Sequence, residues 1–141
     1  MLISKSQFAF VITTAIALTM PRAVSAADYS VAYALEVEGK TETGKIENCN
    51  SIDSCRVKFR TTDAMADFTY FTNGNVRGKV MLSMSGDSAC CYFKDGNEYL
   101  WLDTNTRLHT VTVYAGHARR GNEVIVNRKL GVLYLSFAVS R

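Results

Sequence analysis

Residues 133–139 read Leu-Tyr-Leu-Ser-Phe-Ala-Val, so Leu133, Leu135, Phe137 and Val139 alternate with Tyr134, Ser136 and Ala138. Successive side chains of a strand point to opposite faces. A period of two therefore gives one face to a core and the other to solvent. The same alternation recurs upstream. Val31, Tyr33, Leu35 and Val37 alternate with Ala32, Ala34, Glu36 and Glu38. Cys55, Val57 and Phe59 alternate with Arg56, Lys58 and Arg60, and Val80, Leu82 and Met84 with Met81, Ser83 and Ser85. Val111 and Val113 sit among Thr110, Thr112 and Tyr114. No segment sustains a helical period with caps, and 61–67 has room for one helical turn at most. The pattern predicts an all-β, antiparallel chain of eight to ten strands, half-buried as such sheets are. The expected architecture is a β-sandwich of immunoglobulin-like or C2-like outline, with a small closed β-barrel as the alternative. Alternation alone does not separate the two.

Two dipeptides predict tight hairpins, because Asn-Gly and Asp-Gly suit a type I′ turn with positive φ at both central residues. Around Asp95-Gly96, Tyr92 would face Tyr99, Cys91 would face Leu100 and Cys90 would face Trp101. Around Asn73-Gly74, Phe71 would face Val76, Tyr70 would face Arg77 and Phe68 would face Lys79.

The N-terminus reads differently. An apolar run from Phe8 to Met20 follows Lys5, Pro21 and Arg22 end it, and Val24-Ser25-Ala26 has the small residues of a cleavage site. This is the outline of a secretory signal peptide over residues 1–26. The run is shorter than the roughly 18 residues a spanning helix needs. Residues 27–141 then form a single domain with no transmembrane segment, and its setting would be extracytoplasmic, periplasmic or secreted. The chain's 16 basic and 13 acidic residues fall to 14 against 13 in this part. That near balance makes nucleic acid an unlikely partner. Charge is uneven, however, with six basic residues and one acid, Glu123, in 107–141.

All four cysteines, Cys49, Cys55, Cys90 and Cys91, lie in 27–141. Export implies an oxidising compartment, so an even count reads as two disulfides. Cys49 with Cys55 would leave a bond between adjacent cysteines. Two cross-links between the 49/55 region and the 90/91 strand avoid that bond and are the favoured connectivity. A zinc site lacks a paired Cys-x-x-Cys spacing, so no metal is expected.

Three groups are candidates for partner or ligand binding. The first is Tyr92, Tyr99 and Trp101, read as one aromatic face of the Asp95-Gly96 hairpin; stacked aromatics can bind a sugar ring or a protein. The plainer reading is core packing, since Cys91, Phe93, Leu100 and Leu102 make the other face apolar too. The second is Phe68, Tyr70, Arg77 and Lys79, two aromatics beside two cations. It is either a recognition surface or ordinary cation–π pairing on the outside of a sheet. The third is His117, Arg119 and Arg120, which would crown a turn between two strands. They would offer contacts to an anion or form a solvated turn. His109 and His117, eight residues apart, would sit roughly 26 Å apart on an extended chain and could not share a metal.

Catalytic motifs are missing. The sequence has no Gly-x-Ser-x-Gly, no His-Glu-x-x-His and no glycine-rich phosphate loop, and no cofactor is implied. The expectation is a disulfide-stabilised module that binds another macromolecule, protein or glycan, as an inhibitor or envelope-associated protein would. A small extracytoplasmic hydrolase and a subunit of a surface assembly are the alternatives.

Overall fold

The computed structural model describes residues 27–86, 90–122 and 128–140. The leader expected at 1–26 lies outside the described residues. Nine strands are present among the described residues: β1 Asp28–Val37, β2 Lys40–Asn50, β3 Cys55–Lys58, β4 Met65–Phe71, β5 Lys79–Ser85, β6 Cys90–Tyr92, β7 Tyr99–Asp103, β8 His109–Ala115 and β9 Arg128–Val139. They form a five-stranded sheet, ordered β2-β1-β9-β8-β6, and a four-stranded sheet, ordered β3-β4-β5-β7. Every pairing is antiparallel. The two sheets pack face to face as a sandwich, and they do not close into a barrel.

The alternating residues supply the layer between the sheets. Val31, Leu35, Val113, Leu133 and Leu135 are fully buried from the five-stranded sheet, and Phe68, Val80 and Leu82 from the other. Phe68 meets Phe137 edge-on across the layer at 6.2 Å between ring centres. Tyr29 also spans it, donating its hydroxyl to the Phe68 carbonyl at 2.9 Å. Burial pushes the Tyr29 pKa up to about 12, against a smaller opposing effect of a backbone hydrogen bond with Cys55. A buried phenol that keeps its proton can go on donating that bond.

The chain changes sheets four times, after β2, β5, β6 and β7. From β2 to β3 it turns through Asn50-Ser51-Ile52-Asp53-Ser54. The Asn50 side-chain oxygen accepts from the backbone N–H of Ile52 at 2.9 Å and of Asp53 at 2.8 Å. Cys49 and Cys55 bracket this corner with their Cα atoms 5.6 Å apart, and they are joined as a disulfide. Cys90 and Cys91 form the second pair. The expected cross-links between 49/55 and 90/91 are thus corrected. Cys49 lies on β2 and Cys90 on β6, opposite edges of one sheet with β1, β9 and β8 between them. At about 4.8 Å per strand that separation is far beyond disulfide reach.

The crossing from β6 to β7 is the Asp95-Gly96 turn. Asp95 and Gly96 have φ of 62° and 76°, and the Asn97 N–H donates to the Lys94 carbonyl at 3.3 Å. This is the type I′ geometry expected there. The hairpin register is not. β6 joins β8 in one sheet and β7 joins β5 in the other, so Cys91 does not face Leu100, nor Tyr92 Tyr99. Both faces of the predicted hairpin were apolar; parting the strands between two sheets buries Cys91, Tyr92 and Phe93 on one arm and Leu102 on the other, and leaves Tyr99 and Trp101 outside.

The Asn73-Gly74 turn is also longer than expected. Asn73 has φ of −130°, and the positive φ values fall on Gly74 and Gly78. Residues 74–76 make a short 3-10 turn, and the Gly78 N–H closes the loop on the Phe71 carbonyl at 2.8 Å. The register moves accordingly: Phe71 pairs with Lys79, Tyr70 with Val80 and Phe68 with Leu82.

Candidate binding face

The sequence Tyr99-Leu100-Trp101-Leu102-Asp103 alternates along β7. Leu102 is buried and Leu100 half-buried against the core, while Tyr99, Trp101 and Asp103 point outward. Trp101 pairs with Met81 on β5, which pairs with Thr69 on β4; Asp103 pairs with Lys79, which pairs with Phe71. Pairing partners share a face. The outer surface of the four-stranded sheet therefore carries Tyr99, Trp101, Met81 and Phe71, with Lys79 and Asp103 at one end.

The rings interlock. Phe71 and Trp101 lie 5.1 Å apart at 65°, and Tyr99 and Trp101 6.1 Å apart at 82°. Edge-to-face contact fixes their attitudes. Tyr99 nevertheless remains 49% exposed and Trp101 40% exposed, two of the four exposed large apolar residues among the described residues. Further along the face, the Arg56 guanidinium bonds the Asp67 carboxylate at 2.7 Å, which raises the Arg56 pKa further.

The three expected groups fare differently. The aromatic group splits. Tyr99 and Trp101 stay together, but Tyr92 is 1% exposed and stacks on Tyr114 at 5.4 Å in the five-stranded sheet. The patch of Phe68, Tyr70, Arg77 and Lys79 is overturned by the longer turn. The three-residue shift places Phe68 opposite Leu82, where it is fully buried, and brings Tyr70 inward to 5.4 Å from Tyr29. Arg77 sits in the turn, and Lys79 alone reaches the outer face. The third group occupies the segment after β8, where His117, Arg119 and Arg120 are exposed. This segment is pinned to the sheet-changing turn, since the Arg119 N–H donates to the Gly96 carbonyl at 2.9 Å. His109 stands apart from it, its Nε2 donating to the Asp103 carbonyl at 2.8 Å.

Phe71 and Met81 are members of the face that none of the three expected groups included. Their signal was present: with Gly78 ending the loop, Phe68 and Tyr70 pair apolar-to-apolar with Leu82 and Val80, which leaves Phe71 and Met81 outside. Two hollows of about 330 Å³ each lie elsewhere, and neither is lined by Phe71, Met81, Tyr99 or Trp101. Among the described residues no group of three or more His, Cys, Asp or Glu side chains is placed to hold a metal ion, and no helix is long and apolar enough to cross a membrane.

No protein family, curated protein or solved structure matches this chain.

Proposed function

We propose that the protein is an extracytoplasmic, disulfide-stabilised binding module that recognises another protein through the outer face of its four-stranded sheet. The observation that carries this reading is the cluster of Trp101, Tyr99 and Phe71 on an edge of the sandwich, half in solvent although a core lies one layer away. Aromatics fixed by mutual packing lose little side-chain freedom on binding, which is why Trp and Tyr dominate interface hot spots. The ring attitudes favour a protein over a glycan. A sugar ring stacks on a flat platform, whereas planes inclined at 65° and 82° make a ridged surface that suits interdigitating side chains. Lys79 and Asp103 at one end add a polar rim. The two disulfide pairs support an oxidising setting.

The test is capture of partners with the purified, oxidised protein as bait. A second bait carries Phe71→Ser and Trp101→Ser, and a third carries His117→Ser, Arg119→Ser and Arg120→Ser. The expected result is a partner held by the first and third baits and lost with the second, all three melting cooperatively. A partner lost only with the third bait would move the site to the segment after β8 and sink this reading.

A further inference from the structure

β7 is an edge strand, paired with β5 on one side and with no strand on the other among the described residues. The phase of its hydrogen bonds is fixed at its C-terminal end. The Thr104 N–H donates to the Gly78 carbonyl across the β5 side at 3.1 Å. The Asp103 carbonyl points the other way and accepts from the Thr106 N–H at 3.1 Å and from His109 Nε2 at 2.8 Å. Backbone groups alternate between the two sides of a strand. Leu100 and Leu102 therefore bond β5, and Tyr99 and Trp101 turn both N–H and C=O to the open edge.

The other edges are protected in ways that β7 is not. β2 is long but carries Lys40, Glu42, Lys45 and Glu47, and Asn48 interrupts it with φ of 59°. β3 is four residues long with Arg56 and Lys58 among them, and β6 is three residues long. β7 has five residues, four of them apolar or aromatic, with no cation, bulge or proline. Charges, bulges and short lengths are how native sheets prevent strand addition.

We infer that β7 pairs antiparallel with β7 of a second copy of this chain, about a two-fold axis at Trp101. That register sets Trp101 against Trp101 and Leu100 against Leu102, with Tyr99 and Asp103 opposite each other at the two ends, where the Asp103 carbonyl is already held by Thr106 and His109 of its own chain. The strand is self-complementary about this axis, because apolar residues meet apolar ones and each Tyr99 hydroxyl meets the acceptor carboxylate of the other copy's Asp103. The backbone phase agrees. Trp101 N–H and C=O meet their own counterparts reciprocally, and each Asp103 N–H meets the other copy's Tyr99 carbonyl. The two four-stranded sheets become one continuous sheet, and the two aromatic clusters merge into a single strip. The inference concerns the edge of β7 and stands whether or not its face binds a further protein.

The test is sedimentation velocity of the purified, oxidised protein from micromolar to millimolar concentration. The expected result is a reversible monomer–dimer equilibrium. Trp101→Pro removes only an N–H that faces outward, a position where an edge strand tolerates proline. Trp101→Lys sets two like charges opposite each other. Both should raise the dimer dissociation constant about tenfold or more, while Lys58→Ser, exposed on β3 at the opposite edge of the same sheet, leaves it unchanged. Trp101→Cys should form an intermolecular disulfide under air, since paired Cα atoms about 5.5 Å apart lie within disulfide range; Lys79→Cys, one strand inward, should not. A monomer at every concentration, or a dimer indifferent to both Trp101→Pro and Trp101→Lys, overturns the inference. Loss of partner capture with dimerisation intact would count against the binding face alone.

Discussion

At the residue scale, Tyr29 is the tie between the sheets, and its buried hydroxyl gives the fold a pH signature. Its pKa is raised from about 10 to about 12. The unfolded chain therefore loses this proton before the folded one, and stability falls as pH rises from 10 towards 12. We expect the alkaline limb of a pH-dependent melt to be shallower in Tyr29→Phe than in the parent, with the variant less stable at neutral pH by about 1–3 kcal/mol because the hydroxyl's cross-layer bond is lost. Gly131, on β9, matters for a steric reason instead. A Cβ there would run into the Glu36 backbone carbonyl on β1, which cannot swing aside, and into a Val37 side-chain methyl. At Gly44 the obstruction is the Tyr33 ring, a side chain rather than backbone. Chemical denaturation should find Gly131→Ala destabilised by about 1–3 kcal/mol and Gly44→Ala by less.

At the element scale, the β2–β3 corner decides how the sheets are held at one side. The disulfide closes a loop of about seven residues, for which chain entropy gives about 2 kcal/mol. A paired change, Cys49→Ala with Cys55→Ala, should lower the unfolding free energy by about that much and leave the β content in circular dichroism unchanged. Glu42, on the same edge strand, reaches over to the other sheet. Its carboxylate accepts from the Arg60 N–H at 2.8 Å and from Thr61 N–H and hydroxyl at 3.2 and 3.3 Å. Turn chemistry was legible at this scale and pairing was not. Asp95-Gly96 adopts the conformation its residues dictate, because positive φ is a local property. Which strand each arm then joins is a non-local matter. At Asn73-Gly74 a competing glycine five residues beyond Asn73 took over the loop and moved every pair beyond it.

At the scale of the whole molecule, the sandwich leaves one aromatic cluster outside its core, and Trp101 is its centre and the only tryptophan in the chain. Its fluorescence therefore reports this face alone. Emission should shift to the blue when a partner or a second copy covers it, and should stay fixed when the segment 116–122 is altered. Trp101→Ser should cost about 1–2 kcal/mol, the loss of its edge-to-face contacts with Phe71 and Tyr99, short of the about 3–5 kcal/mol of a core tryptophan, which separates a loss of binding from a loss of fold. An equilibrium melt that moved much further would show Trp101 to be core after all.

The sequence by itself determined that the chain is β, which residues alternate, and where the chain bends most tightly. Each of these follows from neighbours a few positions apart. Only the tertiary structure decided that β6 and β7 part into different sheets, that Cys49 finds Cys55 and Cys90 finds Cys91, and that Phe68 is core while Phe71 is surface. A strand's alternation marks two faces without saying which one is inside. That choice falls to whichever pairing lets two sheets bury their apolar faces against each other. On this chain it left Tyr99 and Trp101 exposed on the outer face, with Phe71 half-buried beside them.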